Sequence, residues 1–120
     1  MTGRAAISLT TGLEDAEKVT VAMLVAVGAA ESGRPTILFL TKEAVRLGVT
    51  TTATGTACDG CPPLPSLFER YAAAGGEVLV CPICFDARGL DANDLRSNAT
   101  IGGTVPLWEW IGDGATTFSY

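Results

Sequence analysis

The four cysteines of this chain form two pairs of identical spacing, Cys58-Asp59-Gly60-Cys61 and Cys81-Pro82-Ile83-Cys84. There is no histidine, so the side chain that most often moves protons or binds metals near neutral pH is missing. Nucleophilic, redox or transition-metal chemistry therefore falls to sulfur. A Cys-x-x-Cys pair can cycle between dithiol and disulfide, supply half of a metal site, or act as a nucleophile with a resolving partner.

Cys81 closes the apolar run Glu77 to Val80 and is followed by Pro82. Proline favours the first position of a helix, which places Cys81 between a strand end and a helix start. Aligned backbone dipoles there favour negative charge, and the thiolate is the nucleophilic form of cysteine. Cys81 is the best-placed nucleophile in the chain. Cys84 follows within one helical turn and suits a resolving thiol. A cysteine at a strand end is often only a small core hydrophobe. The Cys-Pro-x-Cys form favours chemistry over that reading. Cys58 and Cys61 instead fall in a stretch rich in Thr, Gly and Pro, Thr50 to Pro63, which reads as a loop. Metal ligation, a second dithiol and a gate over Cys81 all remain open for them.

The spacing of the two pairs falls within that of four-thiolate zinc sites. A zinc ion or an iron–sulfur cluster is thus the alternative to an expectation of no cofactor. Against it, the intervening residues are enough for a whole helix and strand. No Gly-x-Gly-x-x-Gly fingerprint follows the first strand, so a dinucleotide is not expected.

The elements that must position these residues alternate along the chain. Ala5 to Thr10, Thr36 to Leu40, Glu77 to Cys81, Ala99 to Gly103 and Thr116 to Tyr120 read as strands. Glu14 to Glu31 carries apolar residues at helical spacing, with hydroxyls and acids ahead of it that suit a helix start. Lys42 to Leu47, Leu64 to Ala74, Phe85 to Arg88, Asp91 to Leu95 and Pro106 to Ile111 read as further helical segments, the last with its proline near the first position. Apolar runs without polar alternation suit parallel strands covered on both faces. The expected architecture is a three-layer α/β fold in one domain, residues 1–120. In such a sheet ligands sit beyond the carboxyl ends of the strands. Thr10, Thr11 and Gly12 follow the first strand and could line the edge that holds Cys81. Arg88 could meet a thiolate or an anionic sulfur species. Asp91 and Asp94 suit a helix cap. Trp108, Glu109, Trp110 and Phe118 suit packing or subunit contact.

The chain has 120 residues, 48% of them hydrophobic and 18% charged, with a net charge of −5. Charged residues usually make up about a quarter of a soluble domain. The excess of apolar surface points to a homo-oligomer. Basic residues are scattered singly, which argues against nucleic acid. The longest apolar stretch, Val19 to Ala30, is too short to span a bilayer, and Met1 to Leu9 lacks the features of a secretory leader. The expected setting is the cytoplasm, where cysteine pairs are more often catalytic or metal-binding than structural disulfides.

Several segments carry a family resemblance. Thr10-Thr11-Gly12-Leu13-Glu14-Asp15-Ala16-Glu17-Lys18-Val19, Ala29-Ala30-Glu31-Ser32-Gly33 and Thr36-Ile37-Leu38-Phe39-Leu40 with Glu43-Ala44-Val45 resemble the front half of the DsrE/DsrF family. Gly75-Gly76-Glu77-Val78-Leu79-Val80-Cys81-Pro82-Ile83-Cys84, leading to Ala87-Arg88-Gly89-Leu90, resembles its strand-end cysteine region. The resemblance covers nearly the whole chain and implies a mostly parallel sheet of about five strands. It also implies trimers or hexamers. In sulfur-relay members, the strand-end cysteine carries sulfur as a persulfide between donor and acceptor proteins. That role falls on Cys81. Cys84 and the Cys58–Cys61 pair are additions to the relay pattern. Cys81-Pro82-Ile83-Cys84 and Thr104-Val105-Pro106 also match the dithiol and proline loop of glutaredoxins. Too few residues separate the two for that fold, so this likeness reads as local convergence.

Overall fold

A computed structural model describes residues 3–50 and 55–120. Residues 51–54, near the start of the expected Thr50–Pro63 loop, and the first two residues of the chain lie outside the described residues. Five strands, β1 (Ala5–Leu9), β2 (Thr36–Leu40), β3 (Glu77–Val80), β4 (Ala99–Ile101) and β5 (Thr116–Ser119), pair in the order β4-β3-β2-β1-β5. Every pairing is parallel. Four helices, α1 (Ala16–Glu31), α2 (Leu64–Ala73), α3 (Pro82–Ala87) and α4 (Thr104–Ile111), connect them, with short 3₁₀ segments at Leu13–Asp15, Lys42–Gly48 and Ala92–Asp94.

The strand order dictates where the helices lie. Crossovers between parallel strands are right-handed. The steps β1 to β2 and β2 to β3 move the same way across the sheet, so α1 and α2 share a face and pack together. The step from β4 to β5 runs back across the whole sheet, which sends α4 to the opposite face. Side chains alternate along each strand. Leu38 and Leu40 join the core beneath α1 and α2, whereas Ile37 and Phe39 join the core beneath α4. This three-layer parallel architecture is the one expected from the sequence.

The two faces are unequal. The α1–α2 face holds the main core, including Ile7, Leu9, Met23, Leu67, Phe68 and Phe85. Among the described residues the other face buries only Ala6, Ile37, Phe39 and Leu79, against which Leu107, Trp110 and Ala115 pack. No residue of α4 is itself buried. Trp108 and Val105 are 68% and 66% exposed.

Element boundaries follow local chemistry. Asp15 caps α1 by accepting a hydrogen bond from the Lys18 amide (3.1 Å), as the acidic helix-start signal implies. Gly33, with φ 87°, ends the turn that follows. Asp91 caps the Ala92–Asp94 segment by accepting from the Asn93 amide (2.9 Å). The stretch expected as a short helix at Lys42 to Leu47 is a 3₁₀ segment. α3 starts at Pro82, ahead of the expected Phe85. α4 starts at Thr104 behind the Gly103 cap, two residues before Pro106. A proline anywhere in the first helical turn removes only an amide that has no partner within the helix.

Tyr71 ties α2 to the sheet. Its phenol donates toward the Glu77 carbonyl (2.6 Å) and the Thr36 carbonyl (3.3 Å). Burial, reinforced by the nearby Glu77 carboxylate, raises its pKa well above the usual phenol range. Gly76 leaves the room for this ring, since a Cβ there would run into it.

Candidate functional site

In a parallel sheet all strands end along one edge. Here Thr10 follows β1, Thr41 follows β2, Cys81 follows β3, Gly102 follows β4 and Tyr120 follows β5. Cys81 is the junction between strand and helix. Its amide donates to the Leu40 carbonyl (3.0 Å), which extends the pairing of β3 with β2 by one residue. Its carbonyl accepts from the Phe85 amide (3.0 Å) and opens α3. Pro82 stands at the first helical position, as expected.

The Cys81 side chain is half-buried and packs against both cores, while Cys84 packs against the main core. Both are free thiols. Their helix is amphipathic over one turn: Phe85 is buried and Ile83 is 79% exposed. The Phe85 anchor keeps α3 on the sheet edge, with Cys81 and Cys84 partly open to solvent. Beside them, the Gly102 amide donates to the Val80 carbonyl (3.0 Å). A Cβ on Gly102 would meet Leu79 Cδ1 at 2.8 Å and Pro106 Cγ at 3.4 Å. The bare backbone lets α4 begin close to Cys81.

Arg88 follows the last residue of α3. Its Nε donates to Glu43 Oε1 (2.7 Å) and its Nη1 to the Cys84 carbonyl (3.1 Å). Glu43 also accepts from Arg46 Nε (2.9 Å). Hydrogen bonds from Arg88, and secondarily from Arg46, hold the Glu43 carboxyl below the usual carboxylate range. Arg88 thus acts in this structure as a strap between α3 and the Lys42–Gly48 segment. Sequence reasoning missed the role of Glu43. Its only local signal was the three-residue spacing to Arg46.

The loop after β1 divides. Thr10 donates both its amide (2.9 Å) and its hydroxyl (3.0 Å) to the Tyr120 carbonyl, which locks the ends of β1 and β5 together. Thr11 and Gly12 are buried. A Cβ on Gly12 would lie 2.8 Å from the Glu43 carbonyl oxygen. Gly12, Glu43, Arg88 and Cys84 therefore form one chain of contacts along the edge. Thr10 lies on the far side of β1, toward β5.

Cys58 and Cys61 are joined in a disulfide with their Cα atoms 5.2 Å apart, inside the usual range for such bonds. The four residues form a turn. The Cys61 amide donates to the Cys58 carbonyl (3.1 Å), and Gly60 takes the positive φ of 84° that its third position requires. The Leu64 amide donates to the Gly55 carbonyl (2.9 Å), which ties the segment ahead of the turn to the start of α2. Among the described residues no group of three or more His, Cys, Asp or Glu side chains is placed to hold a metal ion. The two cysteine pairs therefore do not converge into one four-thiolate centre.

The aromatic residues of α4 serve different ends. Trp110 donates to Glu77 Oε2 (2.8 Å) and lies beneath the Arg4 guanidinium, 5.0 Å from the ring centre. It fastens α4 to the amino edge of the sheet. Trp108 stays open. Phe118 lines a cavity of about 300 Å³ with Ala5, Ile7, Val25, Ala29 and Arg34. Ala5 and Thr116 begin their strands, so this cavity opens toward the edge opposite Cys81.

The family model of the DsrE/DsrF-like family matches residues 4–120. Among solved structures, the ychN protein from E. coli superposes with a TM-score of 0.81 at 22% identity, over 98% of this chain and 99% of that one. The MTH1491 protein from Methanobacterium thermoautotrophicum gives 0.70 at 11% identity, over 98% and 99%. The BT1422 protein from Bacteroides thetaiotaomicron gives 0.67 at 16%, over 98% and 95%. No curated protein sequence matches. At these identities the structural likeness speaks to the fold alone. The family match reaches from the first strand to the last and includes the strand-end cysteine: the chain belongs to the DsrE/DsrF-like family.

Proposed function

We propose that this DsrE-like protein carries sulfur on Cys81 as a persulfide, and that Cys84 releases it by thiol–disulfide exchange. One observation carries the reading: a free, half-buried thiol at the strand end, with a second free thiol in the next helical turn. The Cys81 thiolate attacks the outer sulfur of a donor persulfide, so that Cys81–SH and R–S–SH become Cys81–S–SH and R–SH. The sulfur then passes to an acceptor thiol by the same exchange. Alternatively Cys84 attacks Cys81, and Cys81–S–SH with Cys84–SH gives the Cys81–Cys84 disulfide and hydrogen sulfide.

The donor and acceptor are proteins in this reading. Ile83 beside the thiols and Val105 on α4 offer exposed apolar contacts for them. The thin cover on the α4 face supports a homo-oligomer, and the family resemblance makes it a trimer or hexamer. A cytoplasmic setting suits thiols that stay reduced.

The test is intact-mass spectrometry after incubation with sodium polysulfide. Wild type gains the mass of one sulfur atom, mapped to Cys81. Cys81→Ser gains none there. Cys84→Ser gains the sulfur and keeps it longer, because the internal release step is gone. Uptake by Cys81→Ser equal to wild type overturns the proposal.

A further inference from the structure

The disulfide turn at Cys58–Cys61 has no part in the sulfur carrier just described. Its placement suggests one. The chain from Lys42 to Pro63 leads from the carboxyl end of β2 to the start of α2, and α2 runs back to reach β3. The turn therefore belongs to the same sheet edge as Cys81. One flank is fastened close to α3 and the other enters the core that Phe85 of α3 also joins. On one side, the Thr50 amide donates to the Asp94 carbonyl (3.0 Å) and Val49 bridges antiparallel to Leu95, just beyond α3. On the other, Cys61 precedes Leu64 by three residues. Leu64 is buried in the main core with Phe85, the neighbour of Cys84.

The turn is also built for exchange. The hydrogen bond across it and the left-handed Gly60 bring the two cysteines to bonding separation. Asp59 and Gly60 at its tip are exposed, and both cysteines are only half-buried. A partner thiol can reach it from solvent. The redox states are complementary as well: Cys58–Cys61 is oxidised while Cys81 and Cys84 are free thiols.

We infer that Cys58 and Cys61 form a second redox couple, which takes oxidising equivalents from Cys81–Cys84 and passes them to an external dithiol reductant. The inference rests on Cys81 and Cys84 being the reactive pair proposed above. After sulfide release the inner pair is a disulfide. The Cys58 thiolate attacks its Cys81 sulfur, forming a Cys58–Cys81 mixed disulfide and freeing the Cys84 thiolate, which takes up a proton. The Cys61 thiolate then attacks the Cys58 sulfur and expels the Cys81 thiolate. Two electrons have moved, and the products are the Cys58–Cys61 disulfide and the Cys81/Cys84 dithiol. This is the pairing found in the structure. A dithiol from outside, R(SH)₂, then reduces the turn and leaves as the cyclic disulfide.

Two measurements on the full chain test this. In the first, dilute Cys61→Ser/Cys84→Ser protein is oxidised with diamide, digested without reduction and mapped by mass spectrometry. A Cys58–Cys81 linkage within one chain supports the relay. Linkage only between copies, or none, overturns it. In the second, fully reduced wild type receives one equivalent of diamide and is quenched by alkylation over time. The Cys81–Cys84 disulfide gives way to Cys58–Cys61, whereas in Cys58→Ser/Cys61→Ser it persists roughly tenfold longer or more. Equal lifetimes overturn the relay. Neither measurement uses a sulfur donor. Protein that passes both yet takes up no sulfur from polysulfide keeps the couple and loses the carrier reading. Protein that loads sulfur but fails both loses only the couple.

Discussion

Cys81 combines two features that seldom coincide at one residue: a backbone fixed by hydrogen bonds on both sides and a side chain that still reaches solvent. The fixed backbone keeps Cys84 within one turn, which is what an internal release step needs. Two other residues make sharper tests of the local structure. Tyr71→Phe leaves the Glu77 and Thr36 carbonyls without their buried donor and costs about 1–2 kcal/mol, read from the denaturant midpoint at constant slope. An unchanged midpoint would show that the phenol contributes nothing. Gly60→Val forces a branched side chain into left-handed backbone at a cost of about 1–2 kcal/mol. Its thiols at Cys58 and Cys61 should stay reduced under oxidation that closes the wild-type pair, as counted by alkylation. Full closure would mean that the turn does not hold the pair together. Cys81 was legible in the sequence because Cys-Pro-x-Cys after an apolar run is a local signal. The partners of Arg88 were not. Its choice of Glu43 depends on β2 and β3 being neighbours, which no residue near Arg88 encodes.

Among the elements, the Lys42–Gly48 segment and α3 are coupled by Glu43, Arg46 and Arg88. Glu31 and Arg70 make a similar link between α1 and α2, with Arg70 Nη2 2.8 Å from Glu31 Oε1. Hydrogen bonds from these arginines hold both carboxyls below the ordinary value of 4.5. The sign of the pH effect follows. On acidification the unfolded chain takes up protons at these carboxyls before the folded one does. Their stabilisation is complete above the ordinary carboxylate range and is lost as pH falls through the lowered folded values. Melting temperatures should therefore drop below that range, and Glu43→Gln should drop less steeply from a lower neutral-pH start. Parallel curves for the two proteins would remove Glu43 from the account. The pairs are exposed, so salt should weaken the effect. The alternation of strand and helix was plain from the sequence because the apolar runs lack polar alternation. The start of α4 was not, since Pro106 marks a first turn without saying which of its positions it fills.

For the whole molecule, the sheet is covered thickly on one side and thinly on the other. Among the described residues no helix is long and apolar enough to cross a membrane, and on the thin side Val105 and Trp108 stand open to solvent. In the proposed assembly, light scattering should give a multiple of the 12.4 kDa chain, and Trp108→Glu should shift it toward the single chain. A wild type that runs as one chain at all concentrations would remove self-association from the proposal. Apolar excess was visible in the composition, but that α4 leaves Val105 and Trp108 the most open of its large apolar side chains emerges only once the sheet order is known. The same arrangement has an optical consequence. Both tryptophans of the chain lie on α4, one fastened by Glu77 and Arg4 and the other bathed in water. Native ultraviolet emission therefore comes almost entirely from that single helix. A blue shift on mixing with a candidate donor would report contact on the α4 face, with no dye attached.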